Sequence, residues 1–139
     1  MTSAQDLYNE LAFYTLAHGG SAFIHQHVVD AFAVQHADES TKPIAVVYGL
    51  AGLYLHIEKG FTGRQVQLAH MRMATRRKQW PQISLPAKRG EITIEHVLAA
   101  SPGTERDAAI ESWCASVWKA CQESRAVIAD LLKRELDIC

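Results

Sequence analysis

Little in this 139-residue sequence belongs to a strong chemical signature, and each absence narrows the field. The three cysteines are odd in number and do not make a disulfide framework. Cys114 and Cys121 fall on one expected helix, about 10 Å apart along its axis, too far for a disulfide. Cys139 is expected to be a free thiol, and this usage fits a reducing, cytoplasmic location. No basic start is followed by an apolar run, so no signal peptide is expected. No apolar run approaches the ~20 residues that span a bilayer, so no membrane association is expected. HExxH, CxxC, a glycine-rich phosphate loop, a nucleophile elbow and a papain-like cysteine context are all missing. So are period-two strands of useful length, internal repeats and low-complexity tracts. A net charge of −1 gives no overall steering toward nucleic acid or an acidic surface.

What remains is an ordinary globular composition, 48% apolar and 21% charged, in a length that suits one domain. Leu7, Leu11, Tyr14 and Ala17 have helical spacing over about 4–18, stopped by Gly19-Gly20. Ser21 is placed to cap a second helix running to about Ala37. Pro43 opens a third helix that ends at Gly60. Thr62 and Gln65 form a capping box for a fourth, from Gly63 to about Lys78. A loop anchored by Trp80 covers about 79–92, and Thr93 caps a short helix to about Ala100. Ile110, Trp113, Val117, Ala120, Ser124, Val127 and Leu131 mark one long amphipathic helix from Thr104 to about Leu136. The fold expected over 1–139 is an all-α single helix bundle: four main helices, a short fifth, and the long C-terminal helix as spine.

The segment from Ile24 to His36 reads as a mostly apolar helix that also carries His25, His27, Asp30, Gln35 and His36. Polar groups on a helix that buries most of its surface are costly unless paired or used. His25 and His27 are about 200° apart on the helix, and His25 and His36 share a face but lie about 16 Å apart, so neither pair can co-ligate an ion. His27 and Asp30 are surface neighbours, able to meet at one ion or to hydrogen-bond each other. His56 ends a stripe of small residues, Ala45, Gly49 and Gly52, that lets a neighbouring helix approach closely. His27, Asp30 and His56, with His70 from the fourth helix, would suit a divalent ion such as zinc or nickel. A water on that ion would serve hydrolysis or transfer, but whether the chain is an enzyme stays open. The structural alternative is equally concrete. His18, His36 and His56 lie near helix C-termini, where an imidazolium is favourable, and His27 with Asp30 can be a buried pair that specifies packing.

Between Phe61 and Gly90 there are seven basic residues, Arg64, Arg72, Arg76, Arg77, Lys78, Lys88 and Arg89, and no acidic one. Such a run can hold phosphates. Residues 1–60, with six acids against two bases, can fold against it, so a small anionic ligand at Arg72 or Arg76 is preferred to nucleic acid. The ligand-binding candidates are therefore His25, Gln35, His36, Arg72 and Arg76. Trp118 lies off the core stripe and would cover the Trp80-Pro81 loop or meet a partner, a second copy included. Met71 and Met73 read as gap-fillers. A non-catalytic interaction protein with a buried structural polar cluster is the alternative to a metal- or ligand-binding domain.

Four segments in order carry a resemblance: Val29-Asp30-Ala31-Phe32-Ala33-Val34-Gln35-His36, Leu53-Tyr54-Leu55-His56-Ile57-Glu58-Lys59-Gly60, Trp80-Pro81 with Thr93 to Ala100, and Trp113 to Ala120. They resemble a family of small helical proteins found mainly in bacteria and classed as a domain of unknown function. Its members show V-D-A-Y-A-x-Q-H, L-x-L-E-x-G, a W-x-x-P loop before T-[VI]-x-x-[VH]-L-A-A, and W-x-x-x-V-W-x-A. Phe32 replaces the usual tyrosine, and His56 is not part of the pattern. The resemblance covers most of the chain from about Ala22 onward. It implies Asp30, Gln35, His36 and one upstream histidine as shared residues, and it implies no activity. The site logic is also similar to that of DinB-like helical bundles, which hold a metal with histidines.

Overall fold

The computed structural model describes residues 3–18, 20–75 and 79–138. Among them are seven α-helices and no strand: α1 (Ala4–His18), α2 (His25–Gln35), α3 (Pro43–Lys59), α4 (Gly63–Thr75), α5 (Ile94–Ala99), α6 (Thr104–Ala120) and α7 (Arg125–Leu136). The chain is all-α, as its periodicity requires. None of these helices is long and apolar enough to cross a membrane.

Local chemistry sets most helix ends. Ser3 Oγ accepts from the Asp6 N–H at 3.1 Å, and the Asp6 carboxylate accepts from the Ser3 N–H at 3.3 Å. Thr62 and Gln65 close the same kind of box at α4, with bonds of 2.8 and 3.2 Å. Thr93 and His96 close one at α5, an imidazole standing where Glu or Gln is usual. Pro43 sits in the first turn of α3. At its other end Gly60 adopts φ 72°, while the Phe61 N–H bonds Leu55 O and the Gly60 N–H bonds His56 O.

Two expectations about helix limits fail. Ser21 lies in a 3₁₀ turn (Gly20–Ala22), and no side chain caps α2. Phe23, with φ 56°, turns the chain there, and α2 begins only at His25. The long C-terminal spine is also absent. The chain breaks at Cys121, passes through a 3₁₀ turn (Gln122–Ser124), and restarts as α7. A 3₁₀ turn advances about 120° per residue against about 100° for an α-helix, so three residues shift the apolar phase by about 60°: Val127, on the expected stripe, is exposed, and Ile128 beside it is buried. That shift is less than one residue's step along a helix, so runs of three and four still fit across the break and it leaves little mark in the sequence pattern. Across it the packing changes: α6 lies against α2, α3 and α5, and α7 against α3 and α4.

The central helix is α3. It packs on α2, α4, α6 and α7, and it buries nine residues from Val46 to Leu55. A helix apolar on all sides is stable only when surrounded. At its C-terminal end Glu58 accepts from Arg125 at 2.6–2.8 Å and from the Trp118 indole N–H at 2.8 Å, tying α3 to α6 and α7. Trp118 is thus a core residue, not a cover for the loop or a contact for a partner.

Candidate functional site

The close approach read from Gly49 and Gly52 is real. A Cβ on Gly49 would lie 2.7 Å from Val34 Cγ2, and one on Gly52 only 1.9 Å from Asp30 Oδ2. The crossing of α2 on α3 brings the buried His27 and Asp30 beside the partly buried His56, and α6 adds the buried Cys114 and, at the surface, Glu111.

At that centre the His27 and His56 rings stack, with centroids 3.5 Å apart and planes 17° from parallel. His56 donates from Nδ1 to Phe61 O at 2.8 Å and from Nε2 to Glu111 Oε1 at 2.7 Å, so both its nitrogens carry protons. Burial pulls its pKa down, but the bonds to Glu111 and the Phe61 carbonyl outweigh burial and raise it. The His56 bond in turn holds Glu111 below the usual carboxylate range. For His27, burial and then the neighbouring His56 lower the pKa to about 4, so at neutral pH its imidazole is uncharged.

Asp30 is buried. Its Oδ1 accepts from Gln26 Nε2 at 3.1 Å, and its Oδ2 has no partner. Burial raises its pKa well above 3.8, against the smaller opposing effect of Gln26. The expected His27–Asp30 hydrogen bond is absent, since His27 Nδ1 also lacks a partner. Cys114 Sγ reaches His27 O at 3.6 Å, and burial raises its thiol pKa strongly, so it is an inert core thiol. Cys121 is likewise buried and free.

The four residues read as a metal set do not converge. His70 lies apart, bonded through Nε2 to Tyr48 O at 2.8 Å and stacked on the Tyr48 ring. An ion bound by imidazole lies in the plane of the ring, about 2 Å from its nitrogen. Two nearly parallel planes 3.5 Å apart offer no shared position of that kind. Among the described residues, no three His, Cys, Asp or Glu side chains are grouped to hold a metal ion.

The ligand candidates divide in the same way. His25 Nδ1 is 2.8 Å from Thr15 Oγ1, whose own proton goes to the α1 backbone. Arg72 bonds Leu136 O at 3.3 Å. Arg76 and Cys139 lie outside the described residues. Gln35 is fully engaged: its Nε2 donates to Arg89 O and Ile92 O at 3.1 and 2.8 Å, and its Oε1 accepts from the Trp113 indole at 2.9 Å. Arg89 reciprocates, donating to Val34 O, Gln35 O and Ala37 O at the end of α2. That guanidinium satisfies helix carbonyls and opposes the negative pole of the helix dipole. This two-way clamp holds the irregular 79–92 segment against α2, and Ser116 Oγ accepts from the Glu91 N–H at 3.2 Å.

The clamp shapes an open groove of about 810 Å³, lined by Gln35, His36, Lys88, Arg89, Glu91, Thr93 and Glu95 among others. His36 stacks on Phe32 with centroids 4.3 Å apart, and its ring nitrogens have no hydrogen-bond partner among the described residues; burial lowers its pKa, and the charges of Glu95 and Arg89 act on it in opposite directions. A smaller cleft of about 460 Å³ between 82–85 and the α2–α3 connection holds none of the histidines. Sequence reading missed Glu111, Glu91 and Glu95, and it named Lys88 only as part of the basic run. Glu111 is one acid among several on an amphipathic helix, and Lys88, Glu91 and Glu95 share a groove with His36 only because the 79–92 loop and the start of α5 lie against the end of α2.

The fold is all-helical among the described residues, with a largely buried polar centre and an open polar groove. The chain belongs to DUF5946, a family of unknown function, whose model matches residues 3–122. The match begins well before Ala22 and ends before α7. Comparison with curated proteins and with solved structures gave no match.

Proposed function

We propose that this chain binds a small polar ligand in the groove at the C-terminal end of α2. The convergence of unengaged polar groups carries this reading. The His36 ring, the Lys88 amine and the Glu91 and Glu95 carboxylates line the groove, and among the described residues none has a hydrogen-bond or ion-pair partner. Its volume lies in the range of roughly 300–1,000 Å³ usual for small-molecule sites. Side chains of both signs select a ligand bearing both a negative group and a donor or cation, Lys88 meeting the first and Glu91 or Glu95 the second.

A divalent ion at the α2–α3–α6 centre is the second reading. It is favoured by the unpartnered His27 Nδ1 and Asp30 Oδ2, and by the Phe61 carbonyl on His56, a hold often seen behind metal-bound imidazoles. That reading requires His27 to leave the stack and His56 to give up its Nε2 proton and its bond to Glu111.

One titration separates the two. Free amino acids, small carboxylates and zinc chloride are added in turn, and backbone ¹H–¹⁵N shifts are followed. The proposal expects saturable shifts at His36, Lys88, Glu91 and Glu95 with one of the organic probes, lost in His36→Ala and Lys88→Ala. Zinc-dependent shifts centred on His27 and His56, at one ion per chain and abolished in His27→Ala, would replace it with the metal reading. No saturable shift with any probe would leave the buried centre as a structural device and remove the ligand proposal.

A further inference from the structure

Of six large apolar side chains facing solvent among the described residues, four lie on α1 and α4. Phe13 is 77% and Leu16 60% exposed on α1, and Met71 is 57% and Leu68 45% exposed on α4. Met71 is therefore not the gap-filler its composition suggests, whereas Met73 is buried. An exposed phenylalanine with a leucine one turn on is unusual for a surface with no partner.

The charges on the two helices are opposite. α1 carries Asp6 and Glu10 and neither Lys nor Arg, while α4 carries Arg64 and Arg72 and no acid. The spacing matches as well. Asp6, Glu10 and Phe13 are separated by four and three residues, as are Arg64, Leu68 and Met71, so each set occupies one helix face. Glu10 is exposed with no partner among the described residues, and Arg64 bonds only Gln67 on its own helix. Inside the chain the other faces are used: α1 packs on α2 and α5, and α4 on α2, α3 and α7.

We propose that the α1 face of one copy docks on the α4 face of a second copy, with Phe13 and Leu16 against Leu68 and Met71 and Glu10 facing Arg64. Acidic-apolar meets basic-apolar only between these two faces; α1 on α1, or α4 on α4, would set like charges together. Each helix is about 20 Å long, so a reciprocal pairing, in which the two faces meet twice, is what brings the buried area toward the roughly 1,200 Å² of a stable interface.

The test is molecular mass in solution by sedimentation velocity, from dilute to concentrated protein, at low and high salt. Wild type is expected to associate with rising concentration and to weaken as salt screens the charges. Phe13→Glu and Met71→Glu should each weaken association about tenfold or more, whereas Val127→Glu, at an exposed apolar position on α7, should leave it unchanged. Glu10→Lys and Arg64→Glu should each be monomeric alone, and an equimolar mixture of the two should associate again. In the mixture every α1 face meets an α4 face of opposite sign. All these positions are exposed, and unchanged circular dichroism and melting will show that each variant is folded. Wild type that stays monomeric at every concentration overturns the proposal. So does association indifferent to Phe13→Glu and Met71→Glu, or a mixture that fails to recover.

Discussion

Alanine at Gly52 is expected to lower the melting temperature by about 6–15 °C, corresponding to a loss of roughly 2–3 kcal/mol. The new methyl would start 1.9 Å from Asp30 Oδ2 and 2.5 Å from its Cγ, inside van der Waals contact. Asp30 is 2% exposed and has little space to retreat. Alanine is intrinsically the better helix former by up to about 1 kcal/mol, so a large net loss can come only from the clash. Thermal melts of Gly52→Ala, Asp30→Ala and the double variant form a cycle. Removing the Asp30 side chain should make room for the methyl, so the double variant should melt well above the sum of the single losses. A Gly52→Ala protein as stable as wild type would mean that α2 and α3 do not cross this closely.

Asp30→Asn is expected to stabilise the protein increasingly as pH rises. Burial raises the Asp30 pKa in the folded chain well above its ordinary 3.8, so the folded state holds a proton that the unfolded state releases. The stabilising contribution of that proton is complete below about 3.8 and is lost as pH climbs toward the folded-state value. Within that window wild type loses up to about 1.4 kcal/mol per pH unit from this residue, and asparagine, neutral throughout, loses none. The His56–Glu111 pair titrates in both proteins, so the difference between their melting curves isolates position 30. Urea denaturation from pH 4 to pH 8 should show the two proteins diverging with asparagine ahead. Parallel curves would contradict a protonated, buried Asp30.

How much of this was legible depends on what each residue could do alone. Pro43, Gly60, the Thr62–Gln65 box and Thr93 announce helix ends because their chemistry is local. The small residues before His56 announced a close crossing because lone glycines inside an apolar helix have few other uses. The break at Cys121 was hidden because a single 3₁₀ turn shifts the apolar phase by less than one residue's step, enough to bury Ile128 instead of Val127 but not to break the spacing. In the site, helical arithmetic correctly kept His25 and His36 apart, but it could not say which way a ring turns. His27 faces His56 rather than Asp30, and His70 turns to a backbone carbonyl. Gln35 was marked as a ligand contact although it pins the loop, because its partners lie more than fifty residues away. The groove depends on that loop, whose irregular backbone carries no periodicity to read.

The claim on which the account rests is that α2 keeps its inner histidine closed within the protein and leaves its last one open to a ligand. Long-range ¹⁵N spectra of the imidazole rings, recorded across pH, test it most directly. The account predicts that His56 titrates above the ordinary 6.5 and that His27 stays neutral until about pH 4, with only the His36 ring free to shift when the groove is filled. A His27 that gains its proton at or above the pH at which His56 does would contradict it.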